Sequence, residues 1–337
     1  LDPRFLQARE WATQQTGYLT SPIQSMQAAS VDASFRRYFR IITAQQRCIL
    51  MDAPPEQENV TKFVQNADAL RAIQVKTPTI YARDDKNGFL LLEDFGDTTY
   101  LSALTQCNLA PDTLYRQAID SLVQIQSGPR LTPTALSLPA YDADWLSMEF
   151  DLFREWYVER HLGVELIPKH VAILSALKTT LVDACLEQPQ TWVHRDFHSR
   201  NLMLIDGDQP GVLDFQDMVT GPLTYDIASL LKDCYVAWPR TQQMAWLASY
   251  WQRASMQLKL PDIDFATLTR WYDFTALQRH MKVLGIFCRL NYRDQKPHYM
   301  NDLPLVANYV LDTLARYPDF CPVQEALGDL IAQAANA

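Results

Sequence analysis

Between Val193 and Leu204 the chain reads VHRDFHSRNLML, with two histidines, two arginines, an aspartate and an asparagine held between apolar flanks. Apolar residues on both sides and a polar centre place the charged set in a loop that follows a strand. A second apolar run, GVLDF, comes after a DGDQ turn, so the segment continues as a hairpin. Asp196, Asn201 and Asp214 then converge at one end of a small sheet. Two carboxylates and an amide suit a hard cation such as Mg²⁺. Phosphoryl transfer needs that kit: one carboxylate orients an acceptor hydroxyl and takes its proton, while an Asn and a second Asp hold metal on nucleotide phosphates. A plain hairpin with polar turn residues would not need three functional types in this order.

The surrounding chain predicts an α+β protein of two lobes. Residues 2–17 read as a helix, with Asp2 as N-cap, Pro3 in the first turn and Gly17 as the stop, and they carry no signal-peptide pattern. SFRRYFRIIT and RCILMDA form a hairpin candidate, and a helix spans about 59–73, where Val60, Phe63, Val64, Ala67 and Leu70 share a face. PTIYARD and NGFLLLEDFG form a second hairpin. The expected order is strand, strand, helix, strand, strand in residues 1–95, a small antiparallel-sheet lobe. Residues 96–337 are expected to form a larger, mainly helical lobe, interrupted by the strand-rich island.

Composition removes several classes. Lys+Arg is 30 against 39 Asp+Glu, a net charge of −9, which argues against general nucleic-acid binding. No apolar run approaches a membrane span. The six cysteines are scattered without a C-x-x-C pair, which argues against structural zinc and points to reduced thiols and a cytoplasmic location. No obligate protein partner is evident.

HRDFHSRN resembles the H-x-D-x-x-x-x-N catalytic loop of the protein-kinase-like superfamily, and LDF stands at its metal-binding D-F-G position with Gln216 in place of Gly. The wider pattern, VHRDFHSRNLM, GVLDFQD and GPLTYDIASLL, resembles the aminoglycoside-phosphotransferase-like branch. SVDASFRRYFRI, ILMDAPPE, GFLLLEDFGD, WYVERHLG and LQRHMKVLGIFCRLNYRD extend the likeness, over nearly the whole chain, to the anomeric kinases of cell-wall amino sugars. Those phosphorylate N-acetylmuramate and N-acetylglucosamine at C1 in peptidoglycan recycling. The resemblance implies ATP and Mg²⁺ as cofactors, ATP and a small sugar as partners, Asp196 as catalytic base, and Asn201 and Asp214 as metal ligands. It further implies a structural His194, a hinge whose backbone at Glu93 to Phe95 meets adenine, and an Asp226 that anchors the loop or caps the next helix.

The nucleotide side departs from the superfamily. No Gly-x-Gly loop occurs, so Ser30 and Ser34 in ASVDASF are the candidate phosphate contacts. The lysine expected in V-A-I-K is absent; CILMDAP places Met51 or Asp52 there. Arg36, Arg37 and Arg40 on the neighbouring strand are the candidate replacements, Arg36 and Arg40 on one face and Arg37 on the other. They could equally be solvated strand residues.

On the acceptor side, the helix WYDFTALQRHMKVLGIFCRLNYRD offers Lys282 and Arg289 to meet a carboxylate and Gly285 as space for a sugar ring. An ordinary amphipathic helix would look similar. His198 could contact phosphate or sugar or simply brace the loop, Asp217 and Asp233 are weaker acceptor candidates, and Trp156 and Tyr157 could stack on a sugar or belong to the core. Rival readings are a kinase of an aminoglycoside, choline or another small alcohol, and a pseudokinase that binds nucleotide without turnover.

Overall fold

A computed structural model describes residues 2–30, 35–106, 109–132 and 136–335. Helix α1 (Pro3–Thr13) starts where the Asp2 side chain accepts the Arg4 amide at 2.9 Å. It covers one face of an antiparallel sheet of β1 (Ile23–Ser30), β2 (Arg37–Thr43), β3 (Arg47–Asp52), β4 (Ile80–Asp84) and β5 (Phe89–Glu93), in the order β1-β2-β3-β5-β4. Helix α2 (Val60–Ala72), capped by Asn59, lies between β3 and β4. The expected hairpins and helix are all present. The strand not foreseen, β1, reads IQSMQAAS, too polar to announce a strand without its partner β2.

Strand alternation assigns the two faces of β3. Cys48 and Leu50 pack with Ala8 and Ala12 of α1. Met51, and Ile49 beside it, pack with Phe63 and Val64 of α2. The face toward α2 is also the face toward the cleft, so Met51 takes the expected lysine's place. Asp52 points to α1, where it is fully buried and accepts Arg4 Nε at 2.7 Å and Arg37 Nε at 2.9 Å.

Beyond Gly96 the chain is mainly helical. It continues through α3 (Tyr100–Gln106), α4 (Pro111–Gln126), the short α5 (Gly128–Leu131), α6 (Ala143–Leu152) and α7 (Pro168–Leu186). Helix α6 runs directly into a π-helix, Phe153–His161. The island supplies β6 (Gln190–Val193), β7 (Leu202–Met203), β8 (Gly211–Val212) and β9 (Val219–Pro222), as pairs β6–β9 and β7–β8. Helices α8 (Tyr225–Leu231), α9 (Arg240–Gln257), α10 (Phe265–Tyr292), α11 (Leu303–Leu314) and α12 (Cys321–Ala335) complete the chain. Buried on nearly every side, α10 is the spine against which α6, α7, α8 and α11 pack. Among the described residues no helix is long and apolar enough to cross a membrane.

Gly285 is explained by this packing, and the expectation of sugar space there is overturned. A Cβ on Gly285 would stand 2.3 Å from the carbonyl of Leu152, so the glycine lets α10 touch the start of the π-helix. Trp156 and Tyr157 pack against the same core, and Tyr157 stacks on Phe153. They are core aromatics rather than sugar platforms.

Candidate active site

A cavity of about 390 Å³ lies between the sheet and the β7–β8 hairpin. Tyr38, Ile49 and Leu92 form its sheet side, Glu93 to Asp97 its back, and Asn201, Leu213 and Asp214 its floor. Phe95 lies flat on Gly211, where a Cβ would fall 2.5 Å from the ring, so the connection out of the sheet rests directly on β8. The Glu93 side chain is turned away into Thr79, accepting its N–H at 3.1 Å and its hydroxyl at 2.7 Å.

Long-range carboxylates clamp the loop after β6. Asp226, at the start of α8 and fully buried, accepts the amides of His194 at 2.6 Å and Arg195 at 3.0 Å. Asp233, also fully buried, accepts the amides of Ser199 at 2.9 Å and Tyr235 at 3.0 Å. Asp226 is thus a loop anchor, one of the two roles expected for it. Asp233 is a second anchor, not an acceptor contact. His194 bridges inside the loop: Nε2 donates to the Leu213 carbonyl at 2.9 Å, and Nδ1 accepts the Asp196 amide at 3.3 Å. Burial lowers its pKa to about 4, so it is neutral at pH 7 and structural.

These clamps fix Asp196 between the two anchors. Burial pushes its carboxyl up, but Lys282, His198, Arg195 and Arg279 together hold it below its ordinary value. It is therefore ionised at neutral pH and able to accept a hydroxyl hydrogen. Asn201 Nδ2 donates to the Asp196 carbonyl at 2.9 Å and lies 3.4 Å from Asp214 Oδ2. Asp214 itself has φ +62°, a left-handed conformation that Asp tolerates better than most residues. Phe215 pins it: its ring packs on Phe63 at 4.7 Å between centroids, and its carbonyl accepts Asn66 Nδ2 at 2.8 Å. Gln216, in place of the family glycine, donates to Asp214 Oδ1 at 2.7 Å.

The three arginines of the β2 region separate. Arg37 is tied to Asp52 and Asp2, away from the cavity. Arg40 faces the cavity, yet its guanidinium is occupied by Asp94 at 2.7 Å, Asp97 and the Gly96 carbonyl, so it braces the back of the cleft. Arg36 reaches Asp214 at 3.7 Å, Asp217 at 3.9 Å and Glu58 at 3.5 Å. Asp217 therefore sits exposed beside Arg36 and Gln216. The side chain of Ser30, at the end of β1, and the whole of Ser34 lie outside the described residues.

On the acceptor side, Lys282 is buried and bonds Glu149 at 3.1 Å and the Tyr225 hydroxyl at 3.2 Å. Glu149 also takes Arg195 Nη2 at 2.6 Å and the Tyr141 hydroxyl. Burial opposes the charge on Glu149, but Lys282 and Arg195 hold it ionised. Lys282 is thus already neutralised, which corrects its assignment to a substrate carboxylate. Arg289, ten residues beyond Arg279 toward the far end of α10, neighbours Arg293, Asp294, Glu155 and Glu149, and its buried Nε has no hydrogen-bond partner among the described residues. His198 is buried next to Asp196, edge-on to Tyr235. Two residues on this side were not foreseen. Glu149 gave no signal, being one acidic residue in an amphipathic helix. Arg279 lies in LQRHMKVLG, where nothing local marks it out from Lys282.

The comparisons with known proteins agree with this geometry. The family model for the phosphotransferase enzyme family, APH, matches residues 25–269. The chain is 42% identical over 313 residues to an N-acetylmuramate/N-acetylglucosamine kinase of Pseudomonas putida, covering 93% of this chain and 90% of that protein. It is 43% identical over 315 residues to a kinase of the same name from Pseudomonas aeruginosa, covering 93% and 91%. The choline kinase LicA of Streptococcus pneumoniae superposes with a TM-score of 0.61 at 12% identity, covering 92% of this chain and all of that one. A five-stranded sheet covered by two helices, a clamped HRDFHSRN loop and relatives above 40% identity over nine tenths of their length converge on one conclusion: the chain belongs to the APH phosphotransferase enzyme family, with the bilobal protein-kinase-like fold.

Proposed function

We propose that the protein transfers the γ-phosphoryl group of ATP to the anomeric hydroxyl of an N-acetylated amino sugar, N-acetylmuramate or N-acetylglucosamine, in peptidoglycan recycling. Residues 1–95 act as the nucleotide lobe and 96–337 as the catalytic lobe, with the turn at Phe95 and Gly96 between them. The observation that carries the chemistry is the ionised Asp196 held one side chain away from the Asn201–Asp214 pair on the floor of the cleft. The carbohydrate acceptor is carried by the likeness to kinases of that name.

Asp196 orients the C1 hydroxyl and accepts its proton as the phosphoryl group transfers. Adenine lies against Leu92 and Phe95 in the cavity, with its edge on the backbone of Glu93 to Phe95. The α/β-phosphates, deprived of the usual lysine, meet Arg36, which already stands at Asp214. The donor set at Asn201 and Asp214, an amide and a carboxylate in contact, fits Mg²⁺, which prefers hard oxygens and completes its shell with phosphate oxygens and water. Asn201 and Asp214 would hold that ion, which would supply positive charge against the phosphates, and Gln216 and Arg36 steady the Asp214 carboxylate at Oδ1. Glu149, by pairing with both Arg195 and Lys282, positions the loop.

ATP consumption with Mg²⁺, measured against amino sugars, choline and an aminoglycoside, tests the reading. Turnover with the N-acetylated sugars supports it. Turnover only with the cationic acceptors, or tight ATP binding with no turnover on any of them, overturns it.

A further inference from the structure

Three lysines and arginines are buried among the described residues: Lys232, Arg279 and Lys282. Two are paired with carboxylates: Lys232 with Asp273 at 3.0 Å and Lys282 with Glu149 at 3.1 Å. Arg279, 4% exposed, makes no ion pair among the described residues, and its one hydrogen bond there is from Nη1 to the Cys234 sulfur at 3.5 Å. Asp196 lies near enough to share its charge with Arg279 but makes no ion pair with it, so most of the five donors of this buried guanidinium await another acceptor.

Its position says what that acceptor touches. One helical turn on, Lys282 joins Glu149 and through it Arg195, the residue before Asp196. The partner of Arg279, Cys234, follows Asp233, which clamps the Ser199 amide on the other side of Asp196. Arg279 thus sits on α10 between the two anchors of the catalytic loop, on the acceptor side. An independent second group points into the same region. His198, 8% exposed and two residues from Asp196, has a buried Nδ1 with no hydrogen-bond partner among the described residues.

Building on the sugar-kinase reading, we propose that Arg279, with His198 Nδ1 beside it, forms the subsite for an acceptor carboxylate, the group that N-acetylmuramate carries on its lactyl ether and N-acetylglucosamine lacks. The planar fork of an arginine matches a carboxylate with two parallel hydrogen bonds. The lactyl ether is borne by the same ring as the C1 hydroxyl that Asp196 orients, so one bound sugar reaches both. Lys282 is not needed for this contact because Glu149 already neutralises it.

The test compares N-acetylmuramate with its neutral carboxamide on wild-type protein and on Arg279→Met and Arg279→Lys, with thermal stability and ATP affinity measured alongside. A charge-assisted contact gives wild type a preference for the acid of about 10–150-fold in kcat/KM. That preference should lie mainly in KM, since the carboxylate is remote from the reacting atoms. In Arg279→Met the preference should collapse toward unity, and Arg279→Lys should keep part of it. Wild type that does not distinguish acid from amide overturns the subsite, even if neither variant folds. So does an Arg279→Met protein that folds and keeps the preference, or one that loses kcat equally on both sugars, which would place the guanidinium on the transferring phosphoryl group. Wild type inactive on every sugar fails the kinase reading instead, and is recognised by the absence of turnover before any variant is compared.

Discussion

The β2 region and helix α10 each carry several cations, and in each set the carboxylates packed against them help to decide which one faces the catalytic centre. On the sheet side, Arg37 belongs to Asp52 and Arg40 to Asp94, which leaves Arg36 at Asp214. On the helix side, Lys282 belongs to Glu149 and Arg289 lies at the far end, which leaves Arg279 next to the loop that carries Asp196. The difference is burial. The sheet-side arginines are partly exposed, and Arg36 is shared among three carboxylates. Arg279 is buried with no ion-pair partner among the described residues. A residue's type and face show which cations can reach a site; the acidic residues across the fold show which of them does.

Asp196 is the group proposed to meet the acceptor hydroxyl itself, so its loss should exceed the loss of any cation. Asp196→Asn should lower kcat by about 10²–10⁴-fold with ATP affinity little changed. If kcat stayed near wild type in a steady-state assay, Asp196 would not be the base. Next in size is the contrast within the sheet-side set. Arg36→Ala should weaken ATP by about 10–150-fold, the worth of a charge-assisted contact, and AMP much less. Arg40→Ala should weaken both nucleotides alike through the back of the cleft, and Arg37→Ala should leave the ATP-to-AMP ratio unchanged. Calorimetric titration of each nucleotide decides this, and an unchanged ratio in Arg36→Ala would mean the phosphates are held elsewhere.

The helix side can be disturbed without touching a charge. Gly285→Ala drives a methyl into the Leu152 carbonyl and should cost about 1–3 kcal/mol of stability by denaturant unfolding. A neutral or stabilising result would mean α10 has room there after all. The smallest effect is a pH slope. His280 is fully buried, stacked on Tyr309, with Nε2 at 3.0 Å from the Lys232 carbonyl. Burial, with Arg279 and Lys232 nearby, holds its pKa well below the ordinary histidine value. A depressed base favours the folded state fully above its unfolded pKa of about 6.5, and that contribution is lost as pH falls below it. His280→Gln should therefore flatten the acid limb of stability by at most about 1.4 kcal/mol per pH unit. An unchanged limb would mean His280 takes up its proton in the folded state.

Much of this was legible in the sequence, and what was not shares a cause. HRDFHSRN and LDF could be read because Asp196, Asn201 and Asp214 are fixed at local spacing by one loop and one hairpin. The second hairpin and α2 were readable from period and turn chemistry. β1 was not, because IQSMQAAS earns its place only by pairing with β2. Gly285 was misread because the neighbour it touches, Leu152, is 133 positions away, and the helix face alone looks open. Lys282 was misread for the same reason: Glu149 is distant in sequence and carries no motif. Pairings across the fold, rather than residue types, are what one sequence conceals.

In the proposed reaction Asp196 directs the phosphoryl group to the C1 oxygen of an N-acetylated amino sugar. The direct measurement is phosphorus NMR of the product formed from ATP, Mg²⁺ and N-acetylglucosamine by wild type and by Asp196→Asn. The expected product is a sugar phosphate whose phosphorus couples to the anomeric proton, formed by wild type and nearly absent with the variant over the same time. A phosphate on the C6 oxygen, no sugar phosphate from wild type, or equal product from Asp196→Asn would contradict it.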